Sequence, residues 1–217
     1  MVMDFDFTLL GEVPAPKSFM VRREFRGVGS FKLTVQRDAG GLLARDRVIY
    51  RPDRPEQGWI IHRVSRSGDT LTVDGTPLKG LAKRRICLPP LITGGAYNQF
   101  GYDLFTGDAE SAYLHFAANN LTAPEDAARA IPHLVLDANL HRGPELPWQA
   151  RFEKLSDLFE DIGAATEVGW DIRPDFGAKR YVFGAWAGVD RTTGTGRCAL
   201  SRELGNVEGG SVTEDAG

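Results

Sequence analysis

The sequence predicts a mainly β protein with additional α/β structure: a small N-terminal antiparallel β-barrel, then a helical segment, then an α-β-β unit. Short runs of alternating apolar and polar residues fill the first 80 positions, and glycine and proline interrupt these runs. One long amphipathic stripe occurs near residue 155. With 217 residues, of which 42% are hydrophobic, the chain is long enough to bury a sizeable core.

A β-hairpin over residues 58–75 is the best-defined element. Both of its strands alternate at period 2, and the connection at residues 67–69 contains side chains that tolerate the positive φ of a tight turn. Ile60, His62 and Val64 share one parity, so His62 is predicted to lie on the buried face or at its rim. We therefore interpret His62 as a structural histidine rather than a catalytic acid or base.

Four more strands are predicted before the hairpin, and closure of all six into a barrel would remove exposed sheet edges. They cover residues 4–10, 18–26, 30–36 and 47–51. A turn at residues 38–41 follows the third of them. The barrel is predicted to occupy the first 80 residues.

Helices are predicted after the barrel. Residues 77–85 form an exit helix that ends at a Lys-Arg-Arg sequence. Asp108 caps a helix that continues through residue 119 and buries Tyr113 and Phe116. Residues 122–125 have the spacing of a capping box for a second short helix.

The strongest helix covers residues 152–162 and ends near Gly163. Its apolar stripe consists of Phe152, Leu155, Leu158, Phe159 and Ile162. Strands at residues 167–173 and 179–186 follow, joined by a Pro-Asp-Phe-Gly turn. Their large side chains are interpreted as core rather than as a ligand platform, and they are Trp170, Ile172, Tyr181 and Phe183.

These elements divide the chain into four predicted regions. They are a barrel with its exit helix at residues 1–90, a helical or irregular connecting segment at 91–150, the α-β-β unit at 151–192, and the start of a second barrel or a disordered tail at 193–217. The last region is rich in glycine and polar residues, so we expect the second barrel to be truncated in this chain.

A search for chemical motifs predicts no catalytic, cofactor-binding or metal-binding residue. The sequence contains no nucleophile elbow, zinc-protease motif, phosphate-binding loop or CxxC pair. Gly27 and Gly29 precede a strand rather than a helix, which argues against a dinucleotide site. Cys87 and Cys198 are isolated and are interpreted as reduced packing residues.

His133, Asp137 and His141 are spaced at i, i+4 and i+8, which on one continuous helix would align three metal ligands. Prolines on both sides leave room for about two helical turns and no fourth ligand is near, so we reject a metal site. No stretch is apolar enough to span a membrane, and the first residues do not have the pattern of a secretory signal.

Charge is distributed unevenly along the chain, whose net charge is −3. Residues 1–90 contain 16 Lys and Arg against 10 Asp and Glu, whereas residues 91–217 contain 10 against 19. A basic front and an acidic back suit contact with a protein partner or with a second copy of the same chain.

Several short motifs, taken in their order along the chain, resemble the hub proteins at the tail tip of siphophages and related prophages. In the C-terminal part they are the amphipathic helix from Arg151, the Gly-Trp-Asp-Ile strand at 169–172, and residues 188–192 and 200–206. In the N-terminal part, residues 29–35, 58–61 and 71–75 are similar to the first barrel of that family. The resemblance covers nearly the whole chain, and none of its motifs is catalytic.

The resemblance implies a structural, non-enzymatic component of a phage tail tip or baseplate hub, similar in fold to the baseplate hub of contractile phages. It implies a trimeric ring that adapts the tail tube to the tip and lets DNA pass. The expected partners are further copies in a homotrimer of the full-length protein, the distal tail protein, and the tail-tube and tape-measure proteins. Neither a cofactor, a membrane span nor sequence-specific nucleic acid is expected. The expected location is the virion tail, after synthesis in the bacterial host cytoplasm.

Two other function classes stay open at this point. A nucleic-acid-binding barrel would use the basic front and its aromatic side chains, as proteins that bind single strands do. A cell-wall hydrolase or carbohydrate-binding module would need a cleft with suitably placed polar groups.

Overall fold

A seven-stranded antiparallel sheet forms the N-terminal half of the fold in the computed structural model, which describes residues 1–13, 16–36, 41–91, 100–189, 191 and 203. Its strands are β1 (Val2–Met3), β2 (Leu9–Gly11), β3 (Pro16–Arg22), β4 (Ser30–Val35), β5 (Val48–Arg51), β6 (Arg54–Ser67) and β7 (Thr70–Pro77). Their order across the sheet is β2-β1-β5-β6-β7-β4-β3. The described strands therefore form an open sheet with β2 and β3 at its edges, and closure into a barrel stays a prediction.

The remaining elements pack around one hydrophobic core, to which residues from distant parts of the chain contribute. In chain order they are a 3-10 helix (Leu78–Arg84), β8 (Asp103–Asp108), α1 (Ala109–Ala117), a π-helical turn (Ala118–Thr122), a 3-10 turn (Ala127–Arg129), β9 (Leu134–Leu136), β10 (Glu145–Ala150), α2 (Leu155–Thr166), β11 (Val168–Asp175) and β12 (Arg180–Ala187). β8 and β10 pair as a two-stranded antiparallel ribbon. β12 pairs with β11 antiparallel and with β9 in parallel. The predicted mainly β class with α/β structure is confirmed.

The chain divides into two compact units. The first, Met1–Ala187, contains every helix and strand given above. The second is Gly188–Gly217. Most of the predicted turn at residues 38–41 and nearly all of residues 193–217, including Cys198, lie outside the described residues.

Alternating side chains of the central strands enter two different cores, because successive residues of a strand point to opposite faces of the sheet. The first core contains Val2, Phe31, Leu33, Val35, Leu43, Ile49, Trp59, Ile61, Leu71 and Val73. The intervening residues, such as Met3, Val48 and Ile60, pack with the helices and with β11 and β12 in the second core. The sheet is therefore covered on both faces at its centre.

The hairpin of β6 and β7 departs from the predicted register at His62. Ile61 pairs with Gly75 and Arg63 pairs with Asp74, so β6 carries one extra residue, which is a β-bulge. The bulge reverses the parity of the strand beyond it. Val64 consequently packs on the core of Ile61 and not on that of Ile60, contrary to the prediction.

The predicted strand at residues 4–10 is wrong for residues 4–8. Those residues make the turn between β1 and β2, residues 9 and 10 begin β2, and Phe7 has a positive φ of 68°. Phe5 and Phe7 both pack on the ring of Tyr181, each with a centroid distance of 4.6 Å. Their alternation reflects packing on one distant ring and not a β-strand.

The helix predicted from the capping box at residues 122–125 is also wrong. Thr122 ends the π-helical turn that continues α1. Asp126 accepts a hydrogen bond from the backbone N–H of Ala128, but it caps only a single 3-10 turn. The helix predicted from Asp108 is confirmed, since Asp108 is the N-cap of α1.

The strongest predicted helix exists as α2, but it is displaced toward the C-terminus. It begins at Leu155, and Phe152 lies before it at the surface. Gly163 lies inside the helix, where a Cβ would approach the Tyr113 hydroxyl to 2.9 Å. That glycine therefore permits close packing, while Glu167, with φ of 57°, ends the helix.

Candidate functional site

Asp108, Ser111 and His141 are in mutual contact, which on composition alone suggests a hydrolytic triad. Ser111 Oγ donates to Asp108 Oδ2 at 2.6 Å, and His141 Nδ1 lies 3.1 Å from the same oxygen and 3.3 Å from Ser111 Oγ. A triad needs one imidazole nitrogen facing the serine and the other facing the carboxylate. Here a single nitrogen faces both groups, so this arrangement does not prepare the serine for attack.

The role of this cluster is to cap α1. Asp108 Oδ1 accepts a hydrogen bond from the Ser111 backbone N–H at 2.8 Å. Partial burial raises the pKa of Asp108, but the hydrogen bonds from Ser111 and His141 outweigh it and hold that pKa below its ordinary value. The carboxylate form that caps the helix is thus the favoured form.

A second network joins the ribbon to α1. The buried carboxylate of Asp103 lies 2.8 Å from His115 Nε2 and accepts a hydrogen bond from Asn119 Nδ2 at 2.9 Å. The Phe105 ring stacks on the His115 imidazole at 4.8 Å. Because both carboxylate oxygens have partners and the imidazole is covered by a ring, this network holds β8 on α1.

Cys87 is buried between the 3-10 helix and the segment before α2. Its backbone N–H donates to Glu153 O, and its carbonyl accepts from the Phe152 N–H. Burial, with the negative charges of Glu153 and Asp103, raises the pKa of the thiol to about 12. A thiol that stays protonated at neutral pH is a poor nucleophile, which agrees with the predicted packing role.

Lys79 is the charged side chain in the most unusual environment. It is 3% exposed, and its ammonium group donates to the backbone carbonyls of Glu24 at 3.0 Å and Phe25 at 3.4 Å. It also lies 4.5 Å above the Trp170 ring. Burial lowers the pKa of Lys79 to about 8, although the nearby Asp171 and Glu24 oppose this shift.

A cleft of about 240 Å³ opens beside Lys79, lined also by Arg23, Phe25, Asp171 and Trp186. The ammonium group is directed at two carbonyls of the loop between β3 and β4, and the Trp170 indole N–H donates to Arg26 O in the same loop at 2.7 Å. Two side chains thus fasten one loop. The geometry is that of an anchor, because the Lys79 ammonium and the Trp170 indole N–H both donate to backbone carbonyls of that loop.

Sequence reasoning did not identify Lys79, nor the ion pair between the buried Glu110 and the partly exposed Arg142. The Arg142 guanidinium donates to both Glu110 oxygens, at 2.9 and 2.7 Å, and also to the Ala185 carbonyl. The only signal for Lys79 was a charged residue within an apolar run. No signal existed for Glu110 and Arg142, because 32 residues separate them.

His62 lies at the β-bulge, half-buried, with Nε2 2.9 Å from Thr76 Oγ1. Burial lowers its pKa, and the nearby Arg84 guanidinium lowers it further. Arg84 itself pairs with Asp46 at 2.6 Å. The neutral imidazole therefore lies between a threonine and an ion pair, with no further acid or base beside it in the described hydrogen bonds.

The residues considered for a metal site do not share a helix. β9 lies between His133 and Asp137, and His133 and His141 both have positive φ. Asp137 pairs with Arg173 at 2.8 Å. Within the described part of the chain, no group of three His, Cys, Asp or Glu side chains has the geometry of a metal site.

No helix among the described residues is both long and apolar enough to cross a membrane.

The fold is similar to that of one prophage tail protein of known structure. Prophage tail protein gp18 from Listeria monocytogenes EGD-e is 11% identical, with a TM-score of 0.51 over 84% of this chain and 49% of that one. The Escherichia coli c3393 protein is 10% identical, with a TM-score of 0.43 over 77% of this chain and 44% of that one. It is a component of the type VI secretion system with structural similarity to the T4 bacteriophage tail proteins gp27 and gp5.

The chain therefore spans about half the length of each of these two structures. A search of curated proteins found no significant match.

At the level of sequence, the family described as Siphovirus ReqiPepy6 Gp37-like protein matches residues 1–216. This match covers essentially the whole chain and agrees with the predicted resemblance to siphophage and prophage tail proteins. The chain belongs to the Siphovirus ReqiPepy6 Gp37-like family.

Proposed function

We propose that this protein is a structural component of a phage tail tip or baseplate hub, and that it forms part of a trimeric ring through which DNA passes. The siphovirus family match over residues 1–216 is the observation that carries this proposal. The fold shared with prophage tail protein gp18 supports it. In this role the protein adapts the tail tube to the tip and catalyses no reaction.

The side-chain chemistry supports a structural role. The most conspicuous polar clusters of the described residues, around Asp108, Asp103 and Lys79, use their charges to fasten elements of the same chain. An enzyme directs polar groups at a cleft that receives its substrate, whereas the polar groups of these clusters bind to other groups of the same chain.

We infer that the partners are further copies in a homotrimer, the distal tail protein, and the tail-tube and tape-measure proteins. The basic residues 1–90 of one subunit would face the acidic residues 91–217 of the next, and heterologous contacts of this kind close into a ring when the rotation permits. The site of action is the virion tail, after synthesis in the host cytoplasm.

Disruption of the gene in its phage or prophage tests the role. Because a missing hub leaves the tube without a tip on which to assemble, we expect capsids without completed tails in electron micrographs and the loss of infectious particles. A plasmid copy of the gene should restore both. Normal tails and normal infectivity in the disrupted strain would contradict the proposal.

A further inference from the structure

The cleft beside Lys79 has two aromatic side chains on its wall that a ligand could reach. Phe25 is 39% exposed and lies nearly at right angles to Trp186, with ring centroids 6.3 Å apart and an interplanar angle of 72°. Trp170 is completely buried, and the Lys79 ammonium covers one of its faces. The corner formed by Phe25 and Trp186 is therefore the aromatic surface of the cleft.

The surrounding chain holds this corner in place. A Cβ on Gly169 would lie 2.4–2.6 Å from three carbons of the Phe25 ring, so a larger residue would push the ring away from β11. The three consecutive carbonyls of residues 24–26 accept hydrogen bonds from Lys79 and Trp170. The loop thus presents its exposed side chains in a fixed position, which reduces the entropy lost when a ligand binds.

Two oppositely charged groups at the cleft do not satisfy each other. Arg23 Nη2 lies 3.9 Å from Asp171 Oδ2, which is longer than a hydrogen bond. The other carboxylate oxygen of Asp171 accepts the N–H of Ile172 at 2.8 Å. Within the described part of the chain, the Arg23 side chain makes no hydrogen bond, and it is 57% exposed. Free donors and a free acceptor therefore line the same cleft.

A hydroxyl is the group that satisfies both partners at once. Burial raises the pKa of Asp171, although the nearby Lys79 opposes this shift, so the carboxylate is poorly hydrated. A polar contact longer than about 3.5 Å leaves room for a bridging group. A hydroxyl can donate to the Asp171 carboxylate while it accepts from the Arg23 guanidinium.

Charge and size restrict the ligand further. Arg23 and Lys79 would repel a cation, and Asp171 and Glu24 would repel an anion, so a neutral ligand is favoured. The cleft of about 240 Å³ is smaller than the about 300–1,000 Å³ of sites for drug-sized ligands, so it suits a single ring. A recess of about 20 Å³ adjoins it at Arg23 and Asp171, which is enough for one further hydroxyl-sized group.

We propose that this cleft binds one neutral sugar ring of a glycan. The C–H face of the ring would pack in the corner of Phe25 and Trp186, and a hydroxyl would bridge Asp171 and Arg23. A pyranose combines an apolar C–H face with a rim of hydroxyls, which are donors and acceptors at once. Sugar binding would be an activity additional to the proposed structural role, and neither depends on the other.

Saturation-transfer difference NMR on the full 217-residue chain tests the site. The probes are the methyl glycosides of glucose, galactose, mannose and N-acetylglucosamine. We expect saturation transfer to at least one of them, strongest at the protons of the C–H face, with a dissociation constant in the millimolar range because one ring makes few contacts. Glucosamine and glucuronate are the charged congeners, and both should bind more weakly than the neutral glycosides.

Arg23→Met and Phe25→Ala should each weaken binding by at least about fivefold, the effect of losing one hydrogen bond or one ring contact. Arg63→Met, at an exposed arginine of β6, and Phe100→Ala, at a ring 42% exposed, are the matched controls outside the cleft and should bind like wild type. Arg23→Met should also leave the melting temperature unchanged, which separates lost binding from lost folding.

The absence of saturation transfer to every neutral glycoside would overturn the proposal, as would binding that either Arg23→Met or Phe25→Ala leaves at wild-type strength. Tighter binding of glucosamine or glucuronate than of the neutral glycosides would show that the cleft selects a charged ligand, and it would also contradict the proposal. None of these results bears on tail morphology after gene disruption, so the sugar site and the tail role can fail separately.

Discussion

The Arg142 side chain is expected to contribute strongly to stability through one buried partner. Glu110 is 1% exposed and its carboxylate receives two guanidinium hydrogen bonds. Arg142→Ala would leave that carboxylate buried without its cation, so we expect the free energy of unfolding to fall by about 3–5 kcal/mol. Urea unfolding at neutral pH measures this loss.

Arg173→Ala is the matched control for that experiment. Arg173 pairs with Asp137 at 2.8 Å, but both side chains are 44% exposed, so removing it should cost less than about 1 kcal/mol. Equal losses for the two variants would show that water reaches Glu110 as readily as it reaches Asp137.

The buried Lys79 is expected to make the free energy of unfolding depend on pH. Its pKa is about 8 in the folded protein and 10.5 ordinarily, so between these values the unfolded chain binds more protons than the folded one. Stability contributed by this group therefore rises with pH across that interval, by about 2 kcal/mol between pH 7 and 10. Comparison with Lys79→Met at each pH removes the effect of the other titrating groups.

A constant difference in unfolding free energy between wild type and Lys79→Met from pH 7 to 10 would show that the lysine keeps its ordinary pKa. A difference that moves in favour of Lys79→Met as the pH rises would contradict the sign of the argument.

At the scale of single residues, local chemistry was predictable and distant partners were not. The capping role of Asp108 follows from its position before an apolar stripe, and the burial of Cys87 follows from its isolation. The environment of Lys79 depends on a loop more than 50 residues away in the sequence, so no local sequence pattern indicates it.

α2 is the element with the clearest energetic prediction. Phe159 is completely buried, with ring centroids of Tyr113, Trp170 and Phe183 at 5.3, 4.8 and 5.3 Å. Phe159→Ala should lower the free energy of unfolding by about 3–5 kcal/mol, since the rigid aromatic neighbours cannot collapse into the cavity. Thermal or urea unfolding provides the measurement.

Phe152→Ala is the control in the same predicted stripe. Because that ring is 46% exposed, its removal should cost less than about 1 kcal/mol. If the two substitutions lower the free energy of unfolding equally, the buried stripe extends beyond the observed start of α2.

Elements with a strong periodic pattern were predictable, and their irregularities were not. The hairpin, α1, α2 and the β11–β12 pair follow from period 2 or period 3.6 alternation. The bulge at His62 adds one residue without changing the composition of the strand, so the apolar/polar alternation of the sequence gives no sign of it. β8 and β10 were missed because β8 buries Asp103 and exposes Leu104, which is the reverse of the usual apolar/polar alternation, and because β10 contains Pro147.

The whole molecule is expected to associate through charged surfaces. We expect the assembled hub to be a trimer, and this chain in solution to be a monomer or a weak oligomer that dissociates as the salt concentration rises. The reason is that contacts between a basic and an acidic surface are screened within about 8 Å at physiological ionic strength. Light scattering at low and high salt measures this. A stable, salt-insensitive dimer with twofold symmetry would contradict the ring, because an isologous interface cannot generate threefold order.

The family was predictable from the order of several short motifs, whereas the assembly stays a prediction. The motifs at residues 29–35, 58–61 and 169–172 belong to β4, β6 and β11, which are central to the packing. We expect the residues that contact other tail proteins to lie on exposed loops and edges, where single-sequence patterns contain little information.

The central claim is that this protein is a structural part of the tail tip, and antibody labelling of purified virions tests it most directly. Gold particles should bind at the tail end distal to the capsid, and quantitative mass spectrometry of the same particles should give three copies, or a small multiple of three, per virion. Purified infectious virions that lack the protein, although the infected cell expresses it, would contradict the claim.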